Sequence, residues 1–315
     1  MLFAGVDAGG TSTRVAVHTA SGERVGYGTA GSGNPAAHGH AAAACAINAA
    51  LRAALDGLAP SAVAATVAGV SGADDGFADV LARLWTSQGL PCAPRMLGDV
   101  DVAYAAGTPS PTGTLLLSGT GAAAARMVGR QVDAVADGLG WLLGDEGSGF
   151  WIGHAAVRSS VHALDAAESS ASLGPLAALV VRHYGVSGTP RRMADQIVRH
   201  AQADRMTVAA AAPLAGRAAL LGDPVARSIV RQAAQHLATT AARVHRDGPI
   251  VLAGSVLTSH GPVRLAVQEL LEEGEVLTAQ DGAGGAAWLA ALPHVGEEAA
   301  RATHHRFVTP SPLQA

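Results

Sequence analysis

A chain of 315 residues with 49% apolar and 15% charged residues is long enough for two domains and too apolar for disorder. Its net charge is −4, all 21 basic residues are arginine and aromatics make up 3%, so it lacks both nucleic-acid stacking platforms and the lysine of a Walker loop. No uninterrupted apolar run approaches the roughly 18 residues of a membrane span, so neither nucleic acid nor membrane is expected as a partner.

Three short strands are expected first, at 2–6, 13–18 and 24–29, with Gly22 and Glu23 turning the chain between the last two. A Gly- and Pro-containing loop, 31–39, leads into an Ala-rich helix over 40–56. An apolar strand at 63–69, a helix at 76–88 and a strand at 94–98 follow. The second half starts alike, with strands at 114–118, 122–128 and 131–136, then a loop over 138–149 with five glycines. Helices fill about 150–245, interrupted at Gly222-Asp223-Pro224, where glycine closes one helix, Asp223 caps the next and Pro224 enters its first turn. A strand at 249–253, a helix at 261–273, a strand at 275–278 and a helix at 282–292 complete the order, and a polar tail from Pro293 docks loosely.

Each half thus opens on a strand meander and continues as alternating helix and strand. That repetition predicts two related α/β lobes, each a mixed sheet flanked by helices, with a cleft between them. The division falls into 1–106 as the N-terminal lobe and 107–292 as the C-terminal lobe, which carries a helical insertion at about 155–245. The tail, 293–315, returns to the first lobe. The first strand begins at Leu2 and leaves no room for a signal peptide, so the chain reads as cytoplasmic. Cys45 and Cys92 have no metal-ligand spacing and read as reduced, partly buried thiols.

One motif occurs in both halves. Asp7-Ala8-Gly9-Gly10-Thr11 and Ser118-Gly119-Thr120-Gly121 each follow an apolar run and precede a returning strand. Glycine lets backbone approach an anion, and exposed N–H groups then cradle it. Either turn alone is an ordinary hairpin; two of them suggest one polyphosphate held from both sides. Asp99 stands at the carboxyl end of a strand, where open α/β sheets place their ligand crevice. Asp101 competes with it, and either could simply cap a helix. Asn34, before Pro35, taken alone reads better as a turn residue than as a ligand contact.

Together the segments resemble the sugar kinase, Hsp70 and actin superfamily, and more closely the N-acetylglucosamine kinase and BadF/BadG/BcrA/BcrD ATPase group. The most specific is Gly144-Asp145-Glu146-Gly147-Ser148-Gly149-Phe150-Trp151-Ile152-Gly153, and the matching segments extend to Gly282-Ala283-Gly284-Gly285-Ala286. The resemblance implies an actin-like (ribonuclease H-like) fold and an ATP- and Mg²⁺-dependent sugar kinase that phosphorylates an amino sugar such as N-acetylglucosamine or glucosamine on its 6-hydroxyl. It implies Gly9, Gly10, Thr11, Ser118, Gly119, Thr120 and Gly121 on the ATP phosphates, and Asp7 on Mg²⁺ through water. Gly254, Ser255 and Gly284 would meet adenosine. Asn34, Asp99, Thr120, Gly138 and Asp145 would meet the sugar, with Asp99 as general base. Leu139 departs from the family's usual tryptophan, which puts an acetamido pocket in question.

Two other readings follow from the same likeness: a BadF-type ATPase and a non-catalytic sugar- or nucleotide-binding sensor. The iron–sulfur members need cysteines in the second lobe, and both cysteines here lie in the first. A homodimer is expected only by analogy. The 13 histidines show no metal spacing, and His304-His305 reads as solvated tail. Trp85, Trp151 and Trp288 read as core.

Overall fold

The computed structural model describes residues 1–169, 172–271 and 274–309. The last residues of the expected tail, 310–315, and the end of the expected 261–273 helix lie outside them. Contacts divide the chain into two units: 1–112 with 127–132 and 277–315, and 113–126 with 133–276.

The first unit opens with β1 (Leu2–Ala8), β2 (Thr13–Thr19) and β3 (Arg24–Ala30), then α1 (Pro35–His38) and α2 (His40–Ala54). β4 (Val63–Val70), α3 (Asp75–Ser87), β5 (Arg95–Leu97) and α4 (Asp99–Ala105) follow. Its sheet runs β3-β2-β1-β4-β5. β1 pairs antiparallel with β2 and parallel with β4. Strand side chains alternate between faces, and β1 uses both. Ala4, Val6 and Ala8 point toward a core built with Ile47 and Leu51 of α2 and with Phe77, Leu81 and Trp85 of α3. Phe3, on the opposite face, joins a second core.

The second unit contains β6 (Gly113–Ser118), β7 (Ala122–Val128) and β8 (Gln131–Asp137), although the tip of the β7–β8 hairpin groups with the first unit. Then come α5 (Gly149–Ala166), α6 (Pro175–Tyr184), α7 (Pro190–Ala203), α8 (Met206–Ala209), α9 (Ala212–Leu220) and α10 (Pro224–Val244). β9 (Ile250–Ala253), α11 (Ser255–Thr258) and α12 (Pro262–Leu270) follow, and β10 (Val276–Thr278) joins this sheet although Leu277 and Thr278 group with the first unit. The sheet order, β10-β9-β6-β7-β8, repeats that of the first unit strand for strand. Asp223 caps α10 through the Ala226 N–H and also takes the Leu176 N–H of α6, which explains why a carboxylate is buried there.

The chain then rejoins the first unit as α13 (Gly282–Val295) and α14 (Glu297–Val308). This differs from the expected division, which gave 282–292 to the second lobe. α13 is apolar all round, and Ala286, Ala287 and Trp288 join Phe3 and Val67 in the second core. Nor is the described part of the tail loose. Ala300, His304, Phe307 and Val308 of α14 are buried. His304, expected in solvent, donates from Nε2 to the Ala105 carbonyl at 2.7 Å and meets Trp288 edge-on. Burial pushes its imidazole pKa down, which keeps it neutral. Cys45 and Cys92 are exposed, not partly buried.

Phe307 is fully buried, its ring tilted against His18 with centroids 4.9 Å apart. Phe307→Ala should lower unfolding stability by about 3–5 kcal/mol in urea titration. A loss under about 1 kcal/mol would mean that α14 contributes little to this core.

Candidate functional site

In the first unit, Asp7 shares the face of Phe3, the side that α13 covers. A Cβ on Gly282 would lie 2.4 Å from Asp7 Oδ2 and 2.7 Å from its Cγ, so glycine at the helix start leaves room for the carboxylate where it stands. Burial raises the Asp7 pKa to about 6, against the opposing charge of Arg14 and reinforced by Asp281 and Asp99. Arg14, its partner across the hairpin, stands 3.6 Å away. The N-cap of α13 is Asp281, which accepts the Ala283 N–H and pairs with Arg24; both side chains are almost wholly buried. Arg24 also donates to His18 Nε2 and to the Phe307 carbonyl, each at 3.3 Å. Burial and the Arg24 charge lower the His18 pKa to about 3, so this ring stays neutral.

The turn after β1 is tied down at its base. Gly9 N–H donates to the Ser12 carbonyl, and the Gly9 carbonyl accepts from Gly33 N–H and Ser32 Oγ. Gly10 and Thr11 are exposed, and no described residue takes their N–H groups. Those amides are available to an anion. Asn34 lies beside this turn as the N-cap of α1, its Oδ1 accepting the Ala37 N–H. The turn-residue reading therefore describes its oxygen, and the two amide protons are left for a ligand.

Asp99 is the first residue of α4, directly beyond β5. Asp101 takes the Gly98 N–H at 3.0 Å, and Asp99 accepts the Val100 N–H on Oδ1 at 3.0 Å, which leaves Asp99 Oδ2 for a ligand. One carboxylate at Asp7 suits magnesium, which keeps most of its waters and binds through one or two carboxylates plus substrate phosphates. Among the described residues, no three His, Cys, Asp or Glu side chains converge on a protein-made metal cage.

In the second unit, Gly119 N–H donates to the Gly121 carbonyl and Thr120 is exposed. Ser118 corrects the sequence reading. Its side chain is fully buried and donates to the Gly147 carbonyl, so it shapes the turn rather than meeting a phosphate. Asp145 lies against the same turn: a Cβ on Gly121 would be 2.9 Å from its carboxylate. Asp137 fixes it by accepting the Asp145 and Glu146 N–H groups at 2.8 and 2.9 Å. Asp145 adopts φ 56°, a left-handed conformation that costs a non-glycine residue on the order of 1 kcal/mol. Burial first, and then the Asp137 charge, raise its pKa, while the Ala122 and Gly140 N–H groups oppose. Gly138 opens this loop at φ 71° and donates to the Ala122 carbonyl. Leu139 is 68% exposed, and Trp141 packs on Phe150 with the Arg205 guanidinium over its ring.

Beside the turn lies a cavity of about 610 Å³, bounded by Gly119, Thr120, Gly149, Gly216, Ser255 and Pro262. Its size and mostly apolar wall suit a nucleoside. Ser255 lines it; Gly254 instead allows close packing, since a Cβ there would sit 2.3 Å from the Ser118 carbonyl. Gly284 is a second correction. It is buried in α13, where a Cβ would lie 2.0 Å from the Phe307 carbonyl, so it seats α14 and cannot meet adenosine. The sequence reading missed Arg14, Arg24, Asp137, Asp281 and the α8–α9 wall. Arg14 was legible as the residue opposite Asp7 in a hairpin, and Asp281 as a cap before a Gly-rich helix. The wall is mostly alanine, glycine and proline and carries no such signal.

The chain matches the model of the BadF/BadG/BcrA/BcrD ATPase family over residues 4–290. It belongs to that family. Among solved structures it is similar to a provisionally assigned N-acetylglucosamine kinase from Chromobacterium violaceum, at 25% identity and a TM-score of 0.72, covering 91% of this chain and 98% of that one. A second provisionally assigned N-acetylglucosamine kinase, from Porphyromonas gingivalis, aligns at 20% identity and a TM-score of 0.67 over 96% and 98% of the two chains. A ROK family glucokinase from Streptomyces griseus shares the fold at 19% identity and a TM-score of 0.55, over 92% and 99%. No curated protein matches the chain. No helix among the described residues is long and apolar enough to cross a membrane.

The Asp7 environment has a measurable sign. Its folded pKa of about 6 exceeds the unfolded value of about 3.9, so the folded state keeps a proton that the unfolded state releases. Stability from this group is present below pH ~4 and is lost as pH rises toward ~6. Asp7→Asn should therefore gain thermal stability over the parent from pH 4.5 to 7.5, and a midpoint difference that does not change between those pH values would contradict the desolvation of this half-buried carboxylate. For the cavity, Gly216→Phe should weaken nucleotide binding by on the order of tenfold or more with unchanged circular dichroism. Unaltered affinity would remove the nucleoside from this cavity.

Proposed function

We propose that the chain is an ATP-dependent sugar kinase that transfers the γ-phosphate to a hexose hydroxyl, with an amino sugar, N-acetylglucosamine or glucosamine, phosphorylated at its 6-hydroxyl. The observation that carries this reading is the grouping of an open Gly119–Gly121 turn, the Asp145 carboxylate and a nucleoside-sized cavity in one unit. The likeness at 25% identity to a provisionally assigned N-acetylglucosamine kinase supports the substrate class. Residues that make no other described contact at their tips, Gly10, Thr11 and Thr120, supply amides and hydroxyls to the phosphates. Magnesium, held at Asp7 through water, would neutralise charge on the β- and γ-phosphates.

Asp99 accepts the proton of the attacking hydroxyl, and Asp145 orients the sugar through its own hydroxyls. With no lysine in the chain, phosphate charge falls to backbone dipoles, the metal and arginine. Positioning supplies most of the rate in phosphoryl transfer, which suits a site built of turns and caps. Asp99→Asn should reduce kcat by roughly 10²–10⁴-fold while sugar and ATP affinities change little. The measurement is ADP release across glucosamine, N-acetylglucosamine, N-acetylmuramic acid and glucose. ADP release that no sugar accelerates would replace this reading with that of a BadF-type ATPase. A chain that binds ligand but releases no ADP would be a sensor.

A further inference from the structure

A second groove in the second unit, between α5 and α10, encloses about 560 Å³ and shares no lining residue with the nucleoside cavity. His154, Arg158 and His162 line it from α5, at spacings of four residues that place them on one exposed helix face. Ser228 and Gln232 line it from α10, with Gln232 Nε2 donating to Ser228 Oγ at 2.9 Å. That bond leaves the Ser228 hydroxyl proton and the Gln232 carbonyl oxygen to face an occupant. Trp151 ends the groove, its indole edge-on to His236.

The charge is one-sided. No carboxylate lines the groove, and no described residue pairs with Arg158. Of the carboxylates flanking these helices in the chain, Glu146 holds His236 at 2.7 Å, Asp165 holds Arg191 and Asp223 takes two helix N–H groups, while the exposed Glu168 lies outside the groove lining. A second hollow of about 490 Å³ flanks the same three residues and adds Arg205 and Gln202, again without an acid. A two-fold contact between copies of this face would set Arg158 and its neighbours against themselves, which argues against a second copy as occupant.

We propose that the α5–α10 groove binds a small phosphorylated sugar, at a site separate from Asp145 and the nucleoside cavity. The Arg158 guanidinium grips the phosphate through its fork of N–H donors, and the two imidazoles each add a donor. Ser228 and Gln232 serve the sugar hydroxyls. Trp151 offers an apolar face to the ring, and the groove volume suits a hexose monophosphate. The site makes no demand on the transfer reaction, so it stands whether or not the chain is a kinase.

The test is isothermal titration calorimetry on the full chain with glucose 6-phosphate, glucose and inorganic phosphate. Glucose 6-phosphate should bind the parent protein and Asp145→Asn alike, and phosphate alone should bind more weakly. Arg158→Ala should weaken it by about tenfold or more, the loss expected for a charged hydrogen bond. Gln232→Glu, which places a negative charge in the groove, should do the same, and thermal midpoints will confirm that both variants fold. The proposal falls if the parent does not bind glucose 6-phosphate, if both groove variants bind as the parent does, or if Asp145→Asn abolishes binding. Phosphate binding as tightly as glucose 6-phosphate would remove the sugar from the proposal. Arg158-dependent dimerisation in sedimentation would make the groove an interface between copies and also overturn it.

Discussion

The first unit is organised around one carboxylate at the start of one helix. Asp7 stands one residue before the end of β1 on the face that α13 covers, and Gly282 leaves it the space of a missing side chain. Everything near that contact serves it. Asp281 caps α13 and fixes where its first turn begins; Arg24 neutralises Asp281; the Phe307 carbonyl and neutral His18 hold Arg24 in place. A buried ion pair of this kind adds little net stability, because desolvation offsets most of its attraction. Its contribution is geometric: it sets the register of a helix against a strand that must present a charge.

The second unit meets the same problem with other means. Asp145 is placed by backbone N–H groups directed at Asp137 and by a left-handed turn. A carboxylate placed this way accepts the Ala122 and Gly140 N–H groups and still has lone pairs for a ligand. The two units therefore share a sheet order and a turn after the first strand, but not the way they restrain an acid. Repetition of the fold has not carried with it repetition of the chemistry.

Much of this is legible in the sequence itself. Strand alternation, the paired glycine turns and Asp223-Pro224 each have a local physical cause, so the elements and both turns could be placed from spacing alone. Asp99 could be placed at a strand end, but the structure was needed to see Asp101 take the Gly98 N–H while Asp99 spends only Oδ1, on the Val100 N–H. What escaped was set by tertiary contact. α14 reads as polar because charged and histidine residues outnumber its buried stripe, yet Ala300, His304 and Phe307 recur at helical spacing. Ser118 and Gly284 looked like ligand contacts because the motif around them is one; their own neighbours, a carbonyl of Gly147 and the backbone of α14, could not be inferred from sequence. The alanine-lined cavity wall gave no sign, since small side chains shape a space without naming its occupant.

Because α13 and α14 complete a core that β1 and β4 began, the first unit is assembled from segments separated by more than a hundred residues. Phe3 and Val67 must wait for Trp288 and Phe307 to emerge from the ribosome before their side of the sheet is dry. Most of the second unit is made in between and holds its own core, so it is free to mature first. A nascent chain of this design exposes one greasy sheet face for most of its synthesis, and its dependence on chaperones should be concentrated there.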